Sequence, residues 1–186
     1  MLTLGLSSNA TTATGQAVTA LRAAGQPAVL TLRQLVRDTP PWTVAGQQIS
    51  ICENPVVVSA AADRLGPASA PLVCTSGQPG AAVMHLLRQL SSSTAQLRYH
   101  GDFDWGGLRI GNVMFERLPV TPWRFDTAAY EAAVAEHSAH ELTGKPAKAD
   151  WDDDLDTRMR QVGQAVEEEH VLDDLIGDLS LPADGL

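Results

Sequence analysis

Through the middle of the chain, short apolar runs with β-branched residues alternate with stretches of helical length. QISIC at 48–52 is the first clear run and ends in Glu53-Asn54-Pro55. Pro55 suits the first turn of a helix carried by VVVSAAADRL and stopped by Gly66. PLVC at 71–74 is a second strand, followed by the loop TSGQPG and the helix AAVMHLLRQL. QLRYH at 96–100 is a third, followed by GDFDWGG and the helix LRIGNVMFERL, and TPWRF at 121–125 is a fourth, leading into AAYEAAVAEHS. Strands separated by helices at this spacing predict a parallel sheet with crossover helices.

The ends of the chain are less regular. Residues 2–6 are apolar, SSNATTATGQ reads as a polar turn, and 17–24 is an Ala/Leu-rich helix stopped by Gly25 and Pro27. A brief strand at 28–30 precedes Thr31, an N-cap candidate for LRQLVRD, which Pro40-Pro41 terminates. Beyond Asp150, the carboxylates Asp152, Asp153 and Asp154 favour a helix N-terminus. An amphipathic stretch, AVEEEHVLDDLIGDL, follows Gly163, and LPADGL is expected to fray. The division expected is a lead-in at 1–45, an α/β core at 46–140 and an acidic helical C-terminal segment at 141–186 packing on the core.

Charge changes this picture at one end. Residues 1–140 hold nine Arg against nine Asp plus Glu, whereas 141–186 hold four basic and thirteen acidic residues, which accounts for the net −9. Phosphate contacts need clustered Lys and Arg, so a neutral body with an acidic end argues against strong autonomous binding to nucleic acid. Two cysteines, Cys52 and Cys74, cannot make a disulfide framework or a four-ligand zinc site and read as small buried residues. No apolar run is long enough for a membrane span and no signal peptide is recognised, so a cytoplasmic protein is expected.

Candidate chemistry sits where strands end, because ligands of open parallel sheets gather at the carboxyl edge. Asp102 and Asp104, two apart just past a strand, can face one cation, and Gly101, Gly106 and Gly107 keep bulk away. Glu53, from another strand end, would complete an oxygen cluster suited to Mg2+ or Mn2+. A metal so held polarises a scissile phosphate. Alone, the Asp-x-Asp pair reads equally well as an N-cap plus a surface carboxylate.

Glu after the first core strand, then Asp-x-Asp-x-Gly after a later one, resembles the Toprim pattern of topoisomerases, primases and certain nucleases. ICENPVVVSAAA, LVCTSGQPGAA and RYHGDFDWGGLRI together resemble an uncharacterised bacterial family with a Toprim-like C-terminal domain. That family is related to the nuclease subunit of Wadjet plasmid-defence systems and more remotely to the topoisomerase VI A subunit. The similarity extends through PWRF, ELTGKPAKADWD and AVEEEHVLDDL. It implies a three-layer α/β/α fold around a mostly parallel sheet of about four strands, with an acidic helical C-terminal tail. It also implies Mg2+- or Mn2+-dependent handling of DNA phosphodiesters, with Glu53 as general acid/base or ligand and Asp102 and Asp104 as ligands. DNA would be met through another domain or subunit, among protein partners of a defence or recombination complex. Two departures stand out. Asn54-Pro55 replaces the glycine common after the Toprim glutamate, and neither Tyr99 nor Tyr130 matches the topoisomerase nucleophile.

Accessory candidates are weighed against plainer roles. His100 could orient a carboxylate but is expected to pack beside Tyr99. Thr75, Ser76 and Gly77 could receive an anion on backbone N–H groups, or simply lead into a helix. Glu168 and Glu169 could approach the metal, although an acidic run on a helix is ordinarily a solvated face. Alternative functions are a non-catalytic Toprim-fold interaction module and, ranked low, an aspartyl-phosphate phosphohydrolase suggested by DFDWG.

Overall fold

The computed structural model describes residues 1–180; the segment LPADGL at 181–186, expected to fray, lies outside the described residues. The three central strands fall where the apolar runs place them: β3 (Gln48–Cys52), β4 (Leu72–Cys74) and β5 (Gln96–Tyr99). From Ile49 to Cys52 and throughout β4 every residue is buried, as a strand covered on both faces requires. β3 pairs in parallel with both β4 and β5, and β5 pairs in parallel with β6 (Val120–Pro122). The fourth expected strand therefore forms, shifted toward its N-terminal side.

The sheet is larger than expected. β1 (Leu2–Leu4) pairs antiparallel with β4 and with β2 (Ala28–Val29), giving six strands in the order β2-β1-β4-β3-β5-β6. The lead-in thus shares the central sheet. Its helix α1 (Ala13–Ala23) starts earlier than the Ala/Leu run indicates, because the Thr12 side chain accepts the Gly15 N–H and caps it. Thr31 caps α2 (Leu32–Arg37) as expected, in a reciprocal capping box with Gln34.

Helix α3 (Pro55–Leu65) joins β3 to β4, α4 (Ala81–Ser92) joins β4 to β5, and α5 (Trp105–Arg117) joins β5 to β6. From β3 the chain steps one way along the sheet; from β4, past β3, and from β5 it steps the other. Right-handed crossovers then place α3 on one face and α4 and α5 on the opposite face. β3 and β5 are neighbours whose outgoing connections diverge, so a crevice opens between their carboxyl ends.

Among the described residues the acidic C-terminal stretch packs back on the core and is helical only in part. After α6 (Thr127–Glu136) come β7 (His140–Glu141), α7 (Leu155–Val162) and β8 (Gln164–Ala165), with β7 and β8 pairing antiparallel. The amphipathic stretch after Gly163 runs through the end of β8, a 3₁₀ turn at Glu168–Val171 and α8 (Leu172–Leu179). Helix α8 packs on α3, and its Asp178 accepts from Arg124 at 2.6 Å and from the Trp123 indole at 2.9 Å. An aromatic cluster joins the elements beyond β5: Phe125 lies 5.7 Å from Tyr99, 5.2 Å from Phe103 and 4.9 Å from Trp151, ring to ring. Gly111 of α5 is needed there, since a Cβ would stand 2.7 Å from the Trp151 ring.

Phe125 is fully buried in this cluster. Phe125→Ala is expected to cost about 3–5 kcal/mol in urea unfolding; a loss under about 1 kcal/mol would contradict the cluster's role in joining the C-terminal elements to the sheet.

Candidate metal centre

Glu53 is the first residue past β3, and Asp102 and Asp104 lie just past β5, so the crevice at the strand ends collects all three. Local structure fixes each differently. Asn54 caps α3, its side chain accepting the Val56 N–H, with Pro55 in the first turn. Asp104 caps α5: Oδ1 accepts the Gly107 N–H at 2.6 Å. The plainer reading of Asp104 as an N-cap therefore holds, and Oδ2 stays without a protein hydrogen bond among the described residues. Gly107 must be glycine, because a Cβ would run into the Asp102 carbonyl.

Glu168, which a solvated helix face would expose, is fully buried and reaches into the same corner. Both its carboxylate oxygens accept the Glu53 N–H at 3.0 Å, and Oε2 also accepts the Asn54 N–H. Its own N–H donates to Asp102 Oδ1 at 2.8 Å. A bridge between Phe103 and Val166 sets it there, with the Phe103 N–H donating to the Val166 carbonyl at 2.8 Å. Glu169 Oε1 accepts from the Asn54 amide at 2.6 Å, and its Oε2 is buried without a partner. Glu168 and Glu169 therefore tie the segment after β8 to the loop that carries Glu53.

The other accessory candidates are placed less favourably. Thr75 and Gly77 spend their N–H groups on the Cys52 and Glu53 carbonyls, at 2.9 Å and 3.2 Å, while Ser76 is exposed. This loop braces the backbone at Glu53, and the Thr75 and Gly77 N–H groups are not free to receive an anion. His100 turns from the carboxylates, with Nδ1 2.9 Å from the Trp123 carbonyl and the ring against Phe103 and Phe125. Burial lowers its pKa to about 4, so it is neutral at physiological pH.

Electrostatics mark the corner. Burial, then the negative charges of Asp102 and Asp104, raise Glu53 to about 7. Burial raises Asp102 to about 6 against the opposing hydrogen bond from the Glu168 N–H, with Asp104 adding to the rise. Glu168 is pushed up by burial, against the N–H groups of Glu53 and Asn54. Among the described residues no Lys, Arg or His forms an ion pair with Glu53, Asp102, Asp104 or Glu168. Glu53 Oε2 is buried without a hydrogen-bond partner. It lies against Gly101, where a Cβ would stand 3.2 Å from it and 2.7 Å from the Tyr99 hydroxyl, itself buried and unpartnered. Sequence reasoning did not foresee the Tyr99 hydroxyl in this corner, and nothing in the local pattern marks it.

The donor chemistry suits a hard divalent cation: carboxylate oxygens, with Oε2 of Glu53 and Oδ2 of Asp102 and Asp104 uncommitted. The arrangement is not a closed cage. Among the described residues no three His, Cys, Asp or Glu side chains are already grouped to hold a metal ion.

Fold and site together define an α/β domain with an acidic corner at the switch point of a mostly parallel sheet. The chain belongs to the DUF2399 family, described as a protein of unknown function C-terminus, whose sequence model matches residues 28–179. That span includes Glu53, Asp102, Asp104 and Glu168. A search of curated proteins found no match. Among the described residues no helix is long and apolar enough to cross a membrane.

Two predictions follow from the corner itself. Glu53 and Asp102 keep their protons to higher pH folded than unfolded, where 4.5 and 3.8 are ordinary. Between about pH 4 and 7 the folded state holds more protons, so without metal the unfolding free energy falls as pH rises through this window. Glu53→Gln should flatten that fall and raise stability at pH 8 by on the order of 1–3 kcal/mol. Urea unfolding across pH checks this; an unchanged slope would contradict it. Glu168→Ala leaves two buried N–H groups unmet and should cost about 1–3 kcal/mol, with Glu168→Gln costing less. Equal, negligible losses would remove Glu168 from the account.

Proposed function

We propose that the domain binds Mg2+ or Mn2+ at Glu53, Asp102 and Asp104 and acts on DNA phosphodiesters. In this reading it is a Toprim-type nuclease or topoisomerase-like domain within a larger defence or recombination assembly. The observation that carries the reading is the uncompensated negative charge: buried or half-buried carboxylates at one sheet edge, without a cationic partner among the described residues. Charge so placed is balanced by protons or by a cation, and the oxygen-only donor set selects a hard one.

A cation bound there would supply Lewis acidity to a phosphate oxygen and stabilise charge on the leaving oxygen. The chain's own groups have separate tasks. Asp102 and Asp104 would hold the ion through their Oδ2 atoms. Glu53, which burial and the charges of Asp102 and Asp104 raise to about 7 in the metal-free protein, serves as general acid/base or as a ligand of the ion. Glu168 holds the Glu53 backbone still while this happens. Tyr99 is fully buried and the Tyr130 hydroxyl donates to the Gln164 carbonyl at 2.7 Å, so neither is free to attack phosphorus. Water or a group from another domain is the nucleophile in this scheme. The net charge of −9 supports a DNA contact made by another domain or subunit.

A second reading, a metal-binding interaction module without catalysis, is favoured by the open arrangement of the carboxylates. Supercoiled plasmid separates the two. Nicking by the protein in its full natural assembly with Mn2+, falling at least about 100-fold in Glu53→Gln, is the expected result. No nicking by that assembly under any divalent metal would leave the module.

A further inference from the structure

Cys52 and Cys74 are the only cysteines of the chain, and they end the adjacent parallel strands β3 and β4 as register partners. Neighbouring strands run about 4.8 Å apart, and bridged cysteines have Cα atoms about 4.4–6.8 Å apart. Register partners send their side chains to the same face of the sheet, so the two thiols meet inside the core, where both residues are fully buried.

Their surroundings are not simply apolar. As register partners on adjacent strands, the two thiols stand side by side on one face of the sheet. Cys74 Sγ also lies 3.4 Å from the Glu53 carbonyl and 3.6 Å from Ser76 Oγ, and Cys52 Sγ lies 3.6 Å from the Asn54 carbonyl. Cover over Cys74 comes from residues 75–80, which carry no helix or strand. In that loop Ser76 is exposed and adopts φ 56°, a left-handed conformation disfavoured for a residue with a Cβ, and Gly77 follows at φ 79°.

We infer that Cys52 and Cys74 are a redox-modification site that closes to a disulfide when a peroxide enters beneath the 75–80 loop. The Cys74 sulfur attacks one peroxide oxygen while its proton passes to the departing oxygen; the S–O bond forms, the O–O bond breaks, and water leaves. The Cys52 sulfur, having lost its proton, then attacks the sulfenic sulfur of Cys74. The S–S bond forms, the S–O bond breaks, and a second water leaves. Two thiols lose two protons and two electrons, and hydrogen peroxide is reduced to two waters. In a reducing compartment such a bond is transient, as expected of a sensor pair. The crosslink joins the residue before Glu53 to the residue before Thr75. Oxidation therefore fastens the corner that carries Glu53, whether or not the carboxylates bind a metal.

Mass spectrometry of the intact, reduced chain treated with hydrogen peroxide tests this directly. After denaturation in alkylating agent and digestion, the Cys52 and Cys74 peptides should appear joined, lighter by two hydrogens and unalkylated, and dithiothreitol should release them. Recovery of both cysteines alkylated, of Cys74 as sulfinic acid beside alkylated Cys52, or of a bond between two chains would overturn the inference. Cys52→Ser should leave a Cys74 sulfenic acid that dimedone traps; no adduct on that folded variant would overturn Cys74 as the attacking sulfur.

Discussion

The Glu168 carboxylate, accepting the backbone N–H groups of Glu53 and Asn54, is the contact on which the rest of the corner depends. Those two N–H groups lie between the end of β3 and the first turn of α3, where neither ladder nor helix supplies an acceptor. A buried N–H left alone is costly, so something must meet them. The chain meets them from 115 residues away, and the same residue's N–H fixes Asp102 from the end of β5. One glutamate thereby ties together the loops past two strand ends that the parallel pairing of β3 and β5 sets side by side.

This solution concentrates negative charge in place of diluting it. Burial of Glu53, Asp102 and Glu168 in one corner, with their neighbouring carboxylates, raises all three above ordinary carboxylate values. A domain built only for stability would do better with apolar residues or an ion pair at such a corner. In the proposed reading, the carboxylates at the switch point, without a cationic side chain beside them among the described residues, await a cation. Gly101 and Gly107 belong to the same design, since a side chain at either would intrude on Glu53 and Tyr99 or on Asp102.

Much of the frame was legible in the chain. β3, β4 and β5 are apolar, β-branched runs bounded by Pro and Gly, and Glu53, Asp102 and Asp104 stand at their ends because motif and strand end coincide. The edge strands were not legible: β2 has two residues, and β1 owes its place to pairing with β4, which no local pattern encodes. Glu168 was misjudged as more plausibly solvated for a related reason. A three-glutamate run has the composition of an exposed helix, but the Phe103–Val166 bridge extends the backbone there and turns Glu168 inward while Glu167 stays exposed. Asp104 shows that a cap and a candidate ligand need not exclude each other, since capping uses one oxygen.

The central claim is that this charge belongs to a divalent cation. Calorimetric titration of the metal-free protein with Mn2+ at neutral pH tests it most directly. The account predicts saturable binding that is lost in Asp102→Ala and Glu53→Gln while their circular dichroism stays native. Absent binding, or affinity unchanged in both variants, would contradict it.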